Sequence, residues 1–152
     1  MTGRERVLAD AAARGIDIEF VERPPAGSLD EAAALLGLPA SSVIKTLVVK
    51  RHDGDFLFAL VPGDRQISWG KLRAVVGVNR LKLPDASVAL EATGYERGTI
   101  VPLGSTNPWR VYVDSRVAGT IALGAGEHGV SAFVDAGQLI AGFHATVADI
   151  TD

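Results

Sequence analysis

Two apolar runs, VIKTLVVK at 43–50 and FLFALVP at 56–62, are separated only by RHDGD. Asp53-Gly54 is a strong two-residue turn signal, so the runs are expected to pair as an antiparallel hairpin at the centre of the chain. Side chains alternate across a strand, which puts Val43, Lys45, Leu47 and Val49 on one face and Ile44, Thr46, Val48 and Lys50 on the other. Lys45 therefore stands among apolar neighbours on its own face. A lysine so placed either extends its ammonium to a nearby edge or lines a cavity where the charge meets an anion or polar ligand.

The elements around the hairpin follow from caps and periodicity. Residues 4–14 read as a helix closed by Gly15, and IDIEFVE at 16–22 alternates as a half-buried strand. Ser28-Leu29-Asp30-Glu31 is a capping box that opens EAAALLG, a short helix closed by Gly37. SWGKLRAVVG is a helix between Ser68 and Gly77, NRLKL a short strand, and PDASVALEATG a helix opened by Pro84. WRVYVDSRV, GTIALGAG and VSAFV are three more strands. DAGQLIAGF gives a helical turn or two and HATVADI a last strand. Helices and strands mix without a regular βαβ rhythm. The expected class is α+β, with a curved, mixed and mostly antiparallel sheet flanked by helices.

At 152 residues the chain has the length of one ordinary domain, expected to span 1–152, with a core that hides about 70% of the unfolded surface. No apolar run of about 18 residues could span a bilayer. MTGRERVLADAAARG lacks the apolar stretch of a signal peptide, so a soluble, cytoplasmic protein without membrane partners is expected. The chain has no cysteine, which removes disulfides, thiol nucleophiles and Cys-ligated zinc. His52, His128 and His144 are too scattered for a metal site, and no metal or organic cofactor is expected. The net charge of −3 gives no overall attraction to nucleic acid. From Arg65 to Pro84, however, Arg65, Lys71, Arg73, Arg80 and Lys82 occur with no acidic residue, either a solvated face or a phosphate-contacting surface.

GAGEHG at 124–129 matches G-x-G-x-x-G, but it lies between two strands. The dinucleotide fingerprint needs a following helix N-terminus, so this is read as a hairpin turn. GYERGTIVPLG at 94–104 mixes turn formers with apolar residues. Gly98 permits close backbone approach, Thr99, Ile100 and Val101 each carry an N–H, and Pro102 carries none. Such a loop either aims donors at a carbonyl oxygen or is a tight turn whose apolar side chains plug the core. No nucleophile elbow and no glycosidase-like carboxylate pair is present. Ser105 and Asp114 stand near expected turns and strand ends as polar candidates.

Taken in order, EAAALLGLPASSVIKTLVV, VPGDRQISWGKLRAVVGVNRLKL, ATGYERGTIVPLG, VYVD and GAGEHG resemble the YbaK/EbsC family, stand-alone relatives of the editing domain inserted in bacterial prolyl-tRNA synthetase. The likeness covers residues 28–140 roughly. Its most specific pieces are the lysine of V-I-K-T-L and the G-x-x-x-P loop, Gly98 to Pro102. The resemblance implies hydrolysis of the ester joining a wrong amino acid, alanine, cysteine or serine, to the 3′ end of a proline-type tRNA, without a protein nucleophile. By carry-over Lys45 contacts the terminal adenosine or its phosphate, and Gly98, Thr99, Ile100, Val101 and Pro102 position the ester. Thr46, Leu103, Gly104, Ser105, Asp114 and Gly126 are candidates for substrate contact, and Lys71, Arg73, Arg80 and Lys82 for contact with the acceptor end of tRNA. Association with an aminoacyl-tRNA synthetase is a further implied partnership. One departure is Pro25-Ala26-Gly27, where relatives often carry a histidine or another polar residue. The alternative to an enzyme is a non-catalytic module that binds an aminoacyl-adenosine end or a small metabolite.

Overall fold

The computed structural model describes residues 1–152. In chain order the elements are α1 (Gly3–Arg14), β1 (Glu19–Glu22), α2 (Leu29–Leu36), a 3₁₀ turn (Ala40–Ser42), β2 (Ile44–Arg51), β3 (Phe56–Pro62), α3 (Trp69–Val76), β4 (Leu81–Lys82), α4 (Ala86–Thr93), β5 (Arg110–Asp114), β6 (Thr120–Gly124), β7 (Val130–Asp135), α5 (Ala136–Phe143) and β8 (Thr146–Ala148). Side-chain oxygens of Thr2, Ser28, Ser68 and Asp135 accept from backbone N–H groups in the first turns of α1, α2, α3 and α5. Each such cap satisfies a donor the helix itself leaves unpaired. In the capping box Ser28 accepts from Glu31 N–H at 3.1 Å, while the Glu31 carboxylate reaches one residue further, to Gly27 N–H at 3.0 Å.

The central hairpin forms with Lys45 opposite Val61 and Thr46 opposite Leu60. Strands order as β4-β2-β3-β5-β8 in one sheet and β1-β7-β6 in another. Four of the six pairings are antiparallel; β3–β5 and β5–β8 are parallel. The mixed, mostly antiparallel character is as expected, but there are two sheets where one curved sheet was expected. They meet at an isolated parallel bridge between Val43 and Ala122.

The five-stranded sheet has apolar residues on both faces and is covered on both. Ile44, Val48, Phe58 and Leu60 join the larger core with Val7, Ala11, Tyr95, Val101, Leu103 and Leu139. Val49, Leu57, Ala59 and Val61 join a second core with Leu72 of α3, Tyr112 and Ile150. Removing one of these fully buried leucines to alanine would cost about 2–5 kcal/mol. No helix is long and apolar enough to cross a membrane.

GAGEHG is the β6–β7 connection, with Gly126 and Gly129 in the left-handed region, so the hairpin reading of that segment holds.

Candidate active site

β4 pairs with β2 only at Lys50 and Arg51. The rest of that edge of β2 is uncovered, and a cavity of about 760 Å³ runs along it. Consecutive residues Val43 to Val48 line this cavity, which for a strand of period two means that the cavity follows the edge and touches both faces. The opposite wall comes from the β6–β7 sheet through Ala122, Leu123, Gly124, Val130 and Ser131, and from the loop after α4 through Arg97, Gly98 and Ile100. Its rim is formed by Ala26 to Leu29, leading into α2, and by Leu83 to Ala86, leading from β4 into α4. The site thus occupies the seam between the two sheets.

Lys45 and Gly98 line this one cavity, as do Thr46 and Ile100. The Lys45 ammonium donates to the Arg65 carbonyl at 2.5 Å, in the turn that follows β3. Burial lowers its pKa from the ordinary 10.5, an effect that nearby Asp64 opposes. An ammonium has three N–H donors, so two remain for a ligand. Thr46 Oγ1 is buried and has no partner in the chain.

Within the loop, the donors divide unequally. Thr99 N–H and its hydroxyl both donate to Glu96 O, at 3.0 and 2.8 Å, which closes the turn. Ile100 N–H and Val101 N–H have no acceptor within the chain, and of these two residues Ile100 lines the cavity. The Val101 and Leu103 side chains are fully buried in the larger core. The loop is therefore anchored by its apolar side chains, while Gly98, through its backbone, and Ile100 line the cavity. Gly124 lets it approach closely: a Cβ there would meet Ile100 O at 2.7 Å and Thr99 O at 2.8 Å.

Other sequence candidates lie elsewhere. Pro102, Gly104 and Ser105 border a separate depression of about 410 Å³ against α1. Gly126 supports the loop from behind, donating its N–H to Thr99 O at 3.0 Å and packing against Tyr95 and Gly3. Asp114 is fully buried away from the cavity, where its carboxylate accepts from Ile150 N–H (3.0 Å), Thr151 Oγ1 (3.1 Å), Arg116 N–H and the Arg116 guanidinium. It fastens the C-terminal segment because those donors would otherwise be left unpaired next to the core. Lys71 is held by Asp149 at 2.9 Å and by Thr151 O at 2.7 Å. Arg80 and Lys82 are exposed and, like Arg73, make no ion pair; Lys82 immediately precedes Leu83 on the cavity rim.

Sequence reasoning missed two cations. Arg97 lines the cavity without a salt-bridge partner, and Arg23 lines it while donating through Nε to Ser131 Oγ at 3.1 Å and through Nη1 to Pro24 O at 3.2 Å. Arg23 directly follows β1 and Arg97 sits in a turn, and at neither place does a hydrophobic period mark which way the side chain faces. With Lys45 they give the cavity three cations against one lining carboxylate, Asp85, a field suited to an anionic ligand. No histidine lines it, although His128, paired with Glu96 at 3.0 Å, stands close to Gly98.

Known structures share this fold. A crystal structure of a candidate trans-editing enzyme for prolyl tRNA synthetase superposes with a TM-score of 0.89 at 25% identity, over 100% of this chain and 98% of that one. A hypothetical protein of known structure gives a TM-score of 0.89 at 26% identity, covering 97% and 99%. The proline–tRNA ligase of Thermosipho africanus is 36% identical over 88 residues, 58% of this chain and 16% of the ligase. That of Sulfurihydrogenibium sp. is 32% identical over 136 residues, 84% of this chain and 23% of the ligase. The chain thus spans a quarter or less of the length of these ligases. Residues 23–141, which include the whole cavity lining, match the model of the aminoacyl-tRNA editing domain, and the chain belongs to that family.

Proposed function

We propose that the chain is a trans-acting deacylase that hydrolyses the aminoacyl ester of mischarged tRNA, with alanyl, cysteinyl or seryl esters on proline-type tRNA as its substrates. The observation that carries this reading is the joint lining of one cationic cavity by Lys45 and by Gly98 and Ile100 of the loop. An aminoacylated tRNA end offers a phosphate and an ester carbonyl a few ångströms apart, which is the pairing such a site would recognise. The free donors of Lys45, with Arg23 or Arg97, face the terminal phosphate and adenosine. Ile100 N–H faces the carbonyl oxygen, while Thr99, Val101 and Pro102 fix the loop.

In the reaction, a water or the substrate's own hydroxyl or thiol attacks the ester carbonyl. Negative charge grows on the carbonyl oxygen as the C–O π bond opens, and Ile100 N–H stabilises it. The tetrahedral intermediate collapses with cleavage of the ester bond, and the proton from the attacking group goes to the ribose oxygen as it leaves. Water attack gives free amino acid and uncharged tRNA; attack by the side chain first gives a lactone or thiolactone, which water opens. One well-aimed oxyanion donor is worth about 3 kcal/mol of transition-state stabilisation, and holding the nucleophile in place contributes more. The ester is already activated, so no protein nucleophile is needed. Partners under this reading are the acceptor end of tRNA and, through it, the synthetase that mischarges it.

Incubation with a panel of mischarged tRNAs tests the proposal. Release of alanine, cysteine or serine at catalytic enzyme concentrations is expected, and failure on every member at enzyme excess would refute it. Lys45→Ala is expected to lower kcat/KM by about 10- to 100-fold, the range for one charge-assisted hydrogen bond, and Lys50→Ala by less than about twofold. Equal effects would move the phosphate site away from Lys45.

A further inference from the structure

Both ends of the loop that brings Ile100 to the cavity are held by helix α1, which lies outside the family match at residues 23–141. The Arg6 guanidinium donates through Nη1 to Gly94 O at 3.2 Å, through Nη2 to Thr93 O at 3.1 Å and Gly104 O at 2.6 Å, and through Nε to Gly104 O at 3.1 Å. One helical turn further on, Asp10 accepts from Gly104 N–H at 2.8 Å, so α1 holds both polar groups of Gly104. The guanidinium lies 4.4 Å from the Tyr95 ring centre, and the Tyr95 hydroxyl donates to Leu103 O at 2.7 Å.

The backbone is shaped to admit these groups. A Cβ on Gly94 would come within 2.8 Å of Arg6 Nη2, and one on Gly104 within 2.4 Å of the Tyr95 hydroxyl. Residues 95–103, between the two held ends, contain the unpartnered N–H groups of Ile100 and Val101, and Ile100 lines the cavity. Arg6 itself does not line the main cavity.

The geometry points to Arg6 as a positioning residue that sets, through the carbonyls of Thr93, Gly94 and Gly104, where the Gly98–Pro102 loop presents its donor. A planar guanidinium serves three carbonyls from one fixed fork, whereas an ammonium concentrates its donors on a single nitrogen and cannot span them. Because a hydrogen bond to a developing oxyanion matters most in the transition state, loosening its support lowers kcat more than it raises KM. The effect on turnover rests on the deacylase reading; the grip on the loop does not.

The experiment compares wild type, Arg6→Lys and Leu72→Ala, the last a substitution of the buried α3 residue in the second core, which destabilises the fold away from the loop. Amide hydrogen exchange of residues 96–103 is measured together with kcat and KM per folded molecule. For Arg6→Lys, faster exchange in 96–103, a fall in kcat of about tenfold or more and a KM within about twofold are expected. Leu72→Ala is expected to keep wild-type kcat per folded molecule and wild-type exchange at those amides relative to its global stability. Unchanged loop exchange in Arg6→Lys, or faster exchange with unchanged kcat, would overturn the proposal, as would a parallel loss of kcat in Leu72→Ala. A wild type that hydrolyses no ester removes the deacylase reading and the coupling to turnover with it, while the exchange arm still decides whether Arg6 holds the loop.

Discussion

Gly124 shows how narrowly the loop is seated. A methyl group there would lie 2.7 Å from Ile100 O and 2.8 Å from Thr99 O, both backbone atoms that a rotamer change cannot move. Gly124→Ala should therefore push the loop off its seat, costing about 1–3 kcal/mol in stability and reducing ester hydrolysis, readable by thermal unfolding alongside the deacylation assay. Lys45 gives a pH signature. Its folded-state pKa lies below 10.5 because burial disfavours the cation, so a ligand that needs the charge should lose affinity at a lower pH than an ordinary lysine would permit. Binding of a non-hydrolysable aminoacyl-adenosine phosphate analogue should weaken as pH rises toward 10.5 in wild type and hold to higher pH in Lys45→Arg. Identical profiles would show that the ammonium does not meet the phosphate. Lys45 was legible because a charge inside an apolar alternation breaks a pattern. The unequal use of the loop's N–H groups was not, because whether Thr99 or Ile100 faces the cavity depends on a turn closed onto Glu96.

The elements were legible wherever a cap and a terminator bracket an apolar period, as in α2 between Ser28 and Gly37 and α3 between Ser68 and Gly77. β1 is shorter than its alternation suggests. Ile16 N–H bonds back to Ala11 O and its side chain packs on Gly142, so the residue completes the exit from α1 before the strand begins at Glu19. The 3₁₀ turn Ala40–Ser42 had no sequence signal beyond Pro39. β8 pairs along its length with β5, and the residues after it are fastened by Asp114 at the close of β5, which binds Ile150 and Thr151 as well as Arg116. The same segment bonds Arg65 through Thr151 Oγ1 at 2.7 Å and through Asp152 O, and Arg65 supplies the carbonyl that receives Lys45. Asp114→Ala leaves several buried donors unpaired and should cost about 3–5 kcal/mol. Denaturant unfolding should register that loss, with faster amide exchange from Thr146 onward; a cost below about 1 kcal/mol would mean that water replaces the carboxylate.

Across the whole molecule the net charge is negative, yet the cavity is cationic, and Arg80 and Lys82 are exposed, with Lys82 next in sequence to the lining residue Leu83. Composition could not show this, because it averages a local field over the surface. If these residues meet the single-stranded tRNA end, Arg80→Ala with Lys82→Ala should lower affinity and flatten the plot of log K against log salt by about 1.4, about 0.7 for each phosphate released. An unchanged slope would place the single-stranded end elsewhere. The two sheets, finally, share one isolated backbone bridge, Val43 to Ala122, and the cavity lies along their junction. Its bore is then a matter of spacing between two stiff plates. A bulkier residue at Ala122, itself almost fully buried, acts as a shim. Under the deacylase reading it narrows the clearance at the cavity wall for every substrate at once, so selectivity among amino acids of different size can be retuned at the joint without altering Lys45 or the Gly98–Pro102 loop.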